Sequence, residues 1–300
     1  MLLELLINRA TQEGKKTVAV AAAEDEEVIR AVIEAVKLKL AHFILFGNQE
    51  ILQELLSQEN ISFGEEQLKI VHVESKEDAA EFAVKAVKGN DADVLMKGNI
   101  PTNVLMKVVL NKEYGLRTGR VLSHVAVFEF PDADRIMILT DAGVNIAPNL
   151  EQKAQIAKNA VELAHSIGIE NPKLAPIAAV EVVNPAMQAT IDAAALTMMN
   201  KRGQITGCLI DGPLGLDNAV SSFAAEHKGI HSEVAGKADI LLVPTIEVGN
   251  ALYKSFVYFA KAKVGAIITG AAAPIVLTSR ADSAESKLYS LILALCSVKK

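Results

Sequence analysis

A hydroxyl and a guanidinium stand side by side near the end of this chain, at Ser279 and Arg280, directly after the apolar run 274–278. That run is typical of a short buried strand, and the spacing of apolar residues over 288–295 predicts a helix after it. In open α/β sheets, ligands bind at the carboxyl ends of strands, and a helix start favours an anion through its unpaired N–H groups. With an arginine there, the placement predicts a site for a phosphate-sized oxyanion. A helix cap beside a surface arginine is the structural alternative.

The composition predicts a large protein with an aliphatic core. The chain has 300 residues, of which 51% are hydrophobic and 4% aromatic, and it contains no tryptophan. This length predicts one large α/β domain or two smaller ones. Cys208 and Cys296 each lie in an apolar segment and form neither a disulfide framework nor a metal-ligand spacing, which fits a reducing compartment.

Charge and hydropathy limit the possible partners. The net charge of −6 argues against a nucleic-acid surface. The most apolar stretch, 264–278, spans about 15 residues and is interrupted by Gly265, Gly270 and Pro274, so it is too short for a transmembrane helix. The amino-terminal segment carries Glu4 inside its apolar run and has no basic leader, which predicts a first helix rather than a signal peptide. We therefore expect a soluble, cytoplasmic protein with no nucleic-acid or membrane partner.

Buried strands alternate with amphipathic helices along most of the chain, which predicts mostly parallel sheets covered by helices on both faces. Two strand-like runs, 121–130 and 135–139, are separated by turn residues and predict an antiparallel hairpin at a domain junction. Further along, the pattern predicts a strand over 205–210 and one helix over 218–227. The predicted fold is α/β, with two α/β/α lobes and a cleft between them. The predicted lobes are residues 1–127 with 267–300, and residues 128–266.

Several familiar catalytic signatures are absent. The sequence has no Gly-x-x-x-x-Gly-Lys-Ser/Thr loop, no Gly-x-Gly-x-x-Gly fingerprint and no Gly-x-Ser-x-Gly elbow, which argues against standard nucleotide, dinucleotide and serine-hydrolase sites. His227 and His231 have the spacing of two metal ligands on one helix, but Gly229 between them disfavours that helix. We expect two surface or interface histidines there and no metal site.

Four motif-like segments follow one another in the later part of the chain. They are 211–219 (DGPLGLDNA), 233–239 (EVAGKAD), 249–254 (GNALYK) and 273–280 (APIVLTSR). In this order and spacing they resemble the phosphate acyltransferases, the group of phosphate acetyltransferases and phosphate butyryltransferases. The resemblance covers most of the chain. It implies a two-lobed fold like that of isocitrate and isopropylmalate dehydrogenases, and reversible acyl transfer between CoA and phosphate.

Two further segments, 96–102 (MKGNIPT) and 116–124 (LRTGRVLSH), are typical of the butyryl branch of that family. Acetyl-branch enzymes usually have a Ser-Gly-Ala type sequence in place of residues 97–99, and an Asn-Asp pair in place of Val276-Leu277. Apolar residues suit a longer acyl tail, since each buried methylene contributes about 0.8 kcal/mol. The resemblance therefore favours butyryl or a similar short or branched acyl group, with phosphate acetyl transfer as the nearest alternative.

The resemblance also implies roles for individual residues. Arg280 would clamp the phosphate, and Ser279 would donate a hydrogen bond to the charge that develops during transfer. The other candidates also have structural alternatives. Lys97 could cap a strand, Arg117 and Arg120 could be solvated surface cations, and Lys254 could form an ion pair with Glu247. The predicted substrate-binding residues are Lys97, Gly98, Asn99, Arg117, Arg120, Ser123, Asp211, Asn250 and Lys254.

The acceptor of the CoA thiol proton departs from the family pattern. The acetyl branch has an aspartate six residues after its arginine, and that position is Ser286 here. A serine cannot act as a base unaided, so the candidates are Asp282 and His124, then Glu285, or the acyl phosphate itself. Asp282 and His124 join Ser279 and Arg280 as the predicted catalytic residues.

Two other classes of protein stay open as alternatives. A metal-dependent 2-hydroxy-acid dehydrogenase of related fold would need a cluster of aspartates, and the sequence shows no obvious one. A non-catalytic CoA-binding protein would bind CoA but release no thiol from acyl-CoA. The resemblance implies acyl-CoA, CoA and phosphate as partners, no cofactor beyond CoA as substrate, and a homodimer or higher homo-oligomer.

Overall fold

The chain divides into two compact units. The first is formed by Met1–Arg120 with Gly265–Lys300, and the second by Val121–Val264. The first unit is discontinuous in sequence, because the residues after 264 return to complete it. The computed structural model describes residues 2–12, 14–58, 64, 66–131, 135–278 and 282–298.

Strands and helices alternate along the described residues, which confirms the predicted α/β class. The strands are β1 (Lys16–Ala21), β2 (Ala41–Gly47), β3 (Leu68–His72), β4 (Val94–Lys97), β5 (Ser123–Glu129), β6 (Ile136–Thr140), β7 (Lys173–Pro176), β8 (Leu209–Ile210), β9 (Ile240–Leu242), β10 (Lys263–Thr269) and β11 (Ile275–Val276). The helices are α1 (Leu2–Gln12), α2 (Glu26–Lys37), α3 (Gln49–Ser57), α4 (Lys76–Lys88), α5 (Thr102–Val109), α6 (Leu150–Ser166), α7 (Gln188–Lys201), α8 (Leu216–Val220), α9 (Ser222–His227), α10 (Ile246–Tyr258) and α11 (Ala284–Ser297).

The strands of the first unit lie in the order β3-β2-β1-β4-β11-β10. Neighbouring strands are parallel except β10 and β11, which are antiparallel. All of β4 and nearly all of β1 is buried, as expected for parallel strands with helices on both faces. α11 packs against α1 and α2. The carboxyl ends of β1, β4 and β11 therefore meet at one edge of this sheet, which is where a ligand site is expected.

The strands of the second unit lie in the order β5-β6-β9-β7-β8. β5 and β6 are antiparallel, which confirms the predicted hairpin, while β6, β9, β7 and β8 are parallel to one another. Residues 132–134 of the hairpin turn lie outside the described part of the chain. Because β5 runs against β6, the start of β5 lies beside the carboxyl end of β6, and this brings residues 123–124 to the ligand-binding edge.

Several predicted elements are shorter than their sequence pattern. The strand predicted over 205–210 is only Leu209–Ile210, and the one predicted over 274–278 is only Ile275–Val276. The helix predicted over 218–227 is wrong as one element: Ser221 has extended backbone angles (φ −120°, ψ 115°) and its hydroxyl accepts a hydrogen bond from the Ala224 amide, which starts a new helix. Pairing with the neighbouring strand sets the length of the two strands, and the Ser221 cap sets the break between α8 and α9.

Two features of the structure bear on the metal site and the membrane-spanning helix that the sequence argues against. Gly229 adopts φ +66° just after α9 ends at His227, so His227 and His231 do not share a helix. Within the described ranges, the chain forms no helix of the length and apolarity that a membrane crossing requires.

Candidate active site

Residues 97–99 follow β4 at the carboxyl edge of the first unit's sheet. The amides of Gly98 and Asn99 donate to the carbonyls of Ala21 and Ala22, at 2.9 and 2.6 Å. These bonds join the ends of β1 and β4 so closely that a Cβ on Gly98 would overlap the Ala22 carbonyl. The predicted site residue Gly98 therefore has a structural reason to be glycine.

The side chain of Asn99 is used within the protein. Its Nδ2 donates to the Glu24 carbonyl at 3.1 Å, just beyond β1. The Glu24 carboxylate in turn lies over Gly47 and accepts from the Asn48 amide at 2.6 Å. Asn99 is thus tied to the ends of β1 and β2. Sequence reasoning missed Glu24, although an acidic residue directly after a buried strand is the kind of signal that pointed to Ser279 and Arg280.

Lys97 is a buried lysine, with only 4% of its surface exposed. Its Nζ lies 3.3 Å from the Gly98 carbonyl oxygen and 3.4 Å from that of Thr278, which follows β11. The ammonium therefore joins the carboxyl ends of β4 and β11, the placement expected of an anion-binding cation. Ser279 and Arg280 come directly after Thr278 and lie outside the described residues, so their roles stay predictions.

The start of α11 corrects one expectation. The sequence predicted N–H groups free to bind an anion there, but the Ala284 amide donates to the Glu27 carboxylate at 2.8 Å and the Ser286 amide to the Ser283 hydroxyl at 3.3 Å. These two amides are already satisfied within the protein, one of them by a carboxylate. Positive charge for an anion must therefore come from side chains more than from this helix end.

The two acidic candidates for the thiol proton lie near the start of α11. Asp282 is half-buried, and its backbone carbonyl accepts a hydrogen bond from Lys287 Nζ at 2.5 Å. The Glu285 carboxylate accepts a hydrogen bond from the Tyr289 hydroxyl at 2.6 Å. That bond holds Glu285 to its own helix, and the identity of the thiol proton acceptor stays a prediction.

Arg117 is exposed and Arg120 half-buried, on a segment that returns to the end of β10. The Thr118 hydroxyl donates to the Gly270 carbonyl at 2.6 Å and accepts from the Arg120 amide at 3.2 Å. Gly119, with φ +84°, allows the tight turn between the two arginines. The backbone that carries them is fixed to the first unit.

Ser123 and His124 open β5 in the second unit. Ser123 is fully buried and its hydroxyl accepts a hydrogen bond from Asn159 Nδ2 of α6 at 2.8 Å, so this predicted substrate contact is engaged in the interior. His124 is half-buried, and its ring lies 5.9 Å from the Tyr253 ring. The backbone amide of His124 donates to Asp141 Oδ2 at 3.1 Å. His124 thus remains positioned at the edge of the sheet.

Asp141, which the sequence analysis missed, organises this edge. It follows β6 and is 2% exposed. Besides His124 N, its carboxylate accepts hydrogen bonds from Gly143 N at 2.8 Å, Val144 N at 2.9 Å and Asn145 Nδ2 at 2.6 Å. Four donors on one carboxylate hold the turn rigidly. The signal was present in the sequence, since residues 140–145 (TDAGVN) place an acid, a glycine and an amide directly after a strand.

The start of α10 packs against the Asp141 turn. A Cβ on Gly249 would lie 2.5 Å from the Asp141 carbonyl oxygen, so this glycine permits the close approach. Asn250 and Lys254 are exposed and one helical turn apart, as predicted. The alternative pairing of Lys254 with Glu247 is absent among the described residues: the Thr245 hydroxyl hydrogen-bonds Glu247 and, with the backbone, lowers the pKa of that carboxyl.

The segment 211–219 is anchored to neighbouring segments by polar contacts. Asp211 is half-buried, and its amide donates to the Leu174 carbonyl at 3.3 Å. Lys228 Nζ lies 2.6 Å from Glu181 and 2.9 Å from Asp217, and these bonds lower the pKa of both carboxyls. Asp217 therefore anchors this turn through its ion pair with Lys228.

These arrangements define a class of protein. A mostly parallel α/β fold places the buried Lys97 ammonium beside the ends of two strands. In the second unit, the Asp141 carboxylate binds the backbone amide of His124 and so positions that histidine. Within the described residues no group of three or more His, Cys, Asp or Glu could hold a metal ion. The geometry suits anion binding and proton transfer to or from a bound substrate.

Comparison with known proteins identifies the family. Residues 64–295 match the family model described as "Phosphate acetyl/butaryl transferase", and the chain belongs to that family. It is 60% identical over 296 residues to the probable phosphate butyryltransferase of Bacillus subtilis (strain 168), covering 99% of this chain and 98% of that protein. It is 47% identical over 294 residues to the phosphate acetyltransferase of Thermotoga maritima, covering 98% and 99%.

Solved structures of other proteins have a similar fold. The crystal structure of a branched-chain phosphotransacylase from Enterococcus faecalis V583 is 38% identical and superposes with a TM-score of 0.84, covering 94% of this chain and 99% of that one. A 4-hydroxythreonine-4-phosphate dehydrogenase from Klebsiella pneumoniae, 11% identical with a TM-score of 0.56 and covering 95% and 100%, shares the fold alone. The expected likeness to dehydrogenases is thus a likeness of fold.

Proposed function

We propose that this chain is an acyltransferase that moves a butyryl or similar short or branched acyl group reversibly between CoA and inorganic phosphate. Butyryl-CoA and phosphate give butyryl phosphate and CoA. The observation that carries the proposal is the similarity, over nearly the whole chain, to a probable phosphate butyryltransferase and to a branched-chain phosphotransacylase. The buried Lys97 ammonium beside Thr278, the residue before the predicted phosphate clamp, supports it.

The chemistry follows from the reaction's charges. An oxygen of hydrogen phosphate attacks the thioester carbonyl, so that a C–O bond forms and the C–S bond breaks. The sulfur leaves as a thiolate, which takes up the proton that the phosphate loses and becomes the CoA thiol. We assign Arg280 and Lys97 to the phosphate and Ser279 to the carbonyl oxygen, whose negative charge grows in the tetrahedral centre. In the reverse direction, the CoA thiol loses its proton to Asp282 or His124.

CoA also presents three phosphate groups, which require cations away from the reacting atoms. We assign the exposed Arg117 and Lys254 and the half-buried Arg120 to those phosphates, and Asn250 to a neutral part of the molecule. Asp211 lies near a turn and would accept a hydrogen bond from a substrate N–H or O–H group. Since CoA is a substrate, the reaction as proposed needs no further cofactor.

The test is thiol release from butyryl-CoA with and without phosphate, with isobutyryl-CoA and acetyl-CoA alongside. Phosphate-dependent release with kcat/KM highest for the four-carbon substrates is the expected result. Burial raises the pKa of the Cys208 thiol to about 11, so this cysteine stays protonated and contributes little background to a thiol-detecting reagent. Release at the same rate without phosphate would indicate a thioesterase, and none at all a binding protein.

Acetyl transfer is the second candidate, because the Thermotoga maritima relative is a phosphate acetyltransferase. The ratio of kcat/KM for butyryl-CoA to that for acetyl-CoA decides between them, and a ratio below one favours acetyl transfer. Pretreatment with a metal chelator tests the dehydrogenase alternative: unchanged phosphate-dependent thiol release excludes it. We also propose a homodimer as the minimal unit, which light scattering coupled to size exclusion would detect.

A further inference from the structure

Helix α7 is apolar on two opposite sides, although one of them is exposed. Ala193 and Leu196 pack into the second unit and are each 1% exposed. On the other side, Met187, Ile191 and Met198 recur at helical spacing and are 38%, 36% and 51% exposed. A helix that is apolar all round is usually buried all round. The exposed side of α7 therefore has the composition of a covered surface.

The loop before α7 extends this surface. Val182 and Val183 are 69% and 56% exposed. The Asn184 amide donates to the Thr190 hydroxyl at 2.9 Å, which folds the loop against the first turn of the helix. The loop 182–187 and the exposed side of α7 together form one surface, the α7 face.

The α7 face carries no exposed charge. Residues 182–200, all of which the structure describes, include a single charged residue, Asp192, in a chain of which 22% of residues are charged. Asp192 is 5% exposed, and its carboxylate lies 2.6 Å from Lys153 Nζ of α6. Nucleic acids and membrane surfaces are bound largely through exposed lysine and arginine, so this face suits neither.

A second copy of this chain fits such a face better than a different protein does. In a symmetric dimer, residues near the two-fold axis face their own counterparts, so any charge there would meet a like charge. The net charge of −6 makes two copies repel each other over charged surfaces. Homodimer interfaces are also more apolar than interfaces between independently stable partners. The longest run of this chain outside the described residues, 59–63, is too short to cover the face instead.

We propose that two copies of this chain associate through the α7 face, with the two α7 helices antiparallel across a two-fold axis near Ile191 and Ala194. Met187 of one copy then lies near Met198 of the other, and the small Ala194 side chain lets the helices approach closely. The inference rests on the homodimer of the proposed function but not on its acyl transfer, and it assigns the residues that form the contact.

The test compares Ile191→Glu with Ile51→Glu by light scattering coupled to size exclusion, over a series of dilutions. Ile51 is 46% exposed on α3 of the first unit, so the control makes the same change away from the α7 face. Wild type and Ile51→Glu should have a mass near twice the 32.0 kDa of one chain. Ile191→Glu should raise the dissociation constant roughly 100-fold or more, because association would bury two unpaired carboxylates. An Ile191→Glu variant as dimeric as Ile51→Glu would overturn the proposal, as would a monomeric wild type.

Crosslinking gives a second readout that does not require a destabilising charge. The chain has two cysteines, Cys208 and Cys296, and both are buried, so Ile191→Cys adds an accessible thiol. A short bis-maleimide should link two copies of Ile191→Cys and leave Ile51→Cys unlinked. A dimeric Ile191→Cys protein that yields no linked product would refute the contact.

Both readouts measure mass and not catalysis. A dimer that is lost in Ile191→Glu and linked in Ile191→Cys supports the α7 contact even if the protein releases no thiol from butyryl-CoA, a result that would refute only the acyl transfer. Conversely, phosphate-dependent thiol release by a dimer that Ile191→Glu leaves intact would refute only the α7 contact.

Discussion

At the scale of single residues, close backbone approaches decide which side chains the site tolerates. Gly98 meets the Ala22 carbonyl where β4 and β1 end together. We expect Gly98→Ala to lower the free energy of unfolding by about 1–3 kcal/mol, because the added methyl forces the two strand ends apart. The rate of thiol release from butyryl-CoA should fall by more than the loss of folded protein alone would cause. Urea unfolding and initial rates measure the two effects.

Gly64→Ala is the control for that change. Gly64 is exposed, and a Cβ there would meet nothing closer than 3.9 Å. It should unfold within about 0.5 kcal/mol of wild type, as surface substitutions usually do. If Gly98→Ala were as stable and active as Gly64→Ala, the close approach at Ala22 would not matter to the site.

Asp141 is the second residue whose environment predicts a measurable loss. Both oxygens of its carboxylate accept two donors each. Asp141→Asn replaces one acceptor oxygen with an NH₂ group facing two donors, and each lost bond to a charged group costs about 1.5–3 kcal/mol. We therefore expect a fall of about 3 kcal/mol in the free energy of unfolding, measured by urea denaturation, and a lower rate of acyl transfer.

Asp25→Asn makes the same chemical change where it should do no harm. Asp25 caps α2 by accepting a single hydrogen bond, from the Val28 amide at 3.0 Å. Asparagine caps helices as well as aspartate, so a change within about 0.5 kcal/mol is expected. A loss at Asp25 as large as that at Asp141 would show that the carboxylate charge, and not its bonding geometry, determines both results.

The residue scale also shows what the sequence could and could not predict about the site. Lys97, Gly98 and Asn99 were found because a motif follows a strand, and the structure places them together at the sheet edge. Asp141 was missed although three of its four donors lie within four residues of it in the sequence. What no local pattern reports is its burial and the hydrogen bond from the His124 amide of the neighbouring strand. Burial of a lysine is likewise a tertiary property, which composition and periodicity cannot reveal.

At the scale of elements, a buried ion pair joins α6 to α7. Lys153 Nζ lies 2.6 Å from Asp192 Oδ2, and both side chains are 7% exposed. The other Asp192 oxygen accepts from Gln188 Nε2 at 2.8 Å. We expect Asp192→Leu to lower the free energy of unfolding by about 3–5 kcal/mol, because it leaves a buried ammonium without its partner. Chemical denaturation provides the measurement.

The double variant Lys153→Met with Asp192→Leu should recover most of that loss, since removing both charges also removes the desolvation penalty. For comparison, the exposed pair Lys37–Glu34, also at 2.6 Å, should cost less than about 1 kcal/mol when broken. A double variant as unstable as Asp192→Leu alone would mean that packing at this helix contact, and not charge, controls its stability.

Elements were predictable where local signals are complete. α6 has a complete local signal, because Asn149 and Gln152 form a capping box at the start of a long amphipathic run. The strands over 205–210 and 274–278 were overestimated, because apolar runs continue past the point where a partner strand ends. The antiparallel pairing of β10 with β11 was not predicted, since strand direction is set by where the chain returns.

At the scale of the whole molecule, the two units differ in how their chain is assembled. The second, Val121–Val264, is continuous, whereas the first needs residues after 264. β11 lies between β4 and β10, and Leu291, Ile292 and Leu295 of α11 are completely buried. Without these elements, β4 would lose its neighbour and α2 would lose the helix that packs on it.

This difference predicts how fragments behave. A fragment of residues 121–264 should fold with a cooperative urea transition, because its strands and helices are all local to it. A fragment of residues 1–120 should lack such a transition, since the apolar surface that α11 covers is exposed to water. Adding the peptide 265–300 should restore it, as followed by circular dichroism. A cooperative transition in residues 1–120 alone would mean that β11 and α11 dock onto a fold that is already complete. The proposed phosphate site would then assemble last, on a sheet that is already stable.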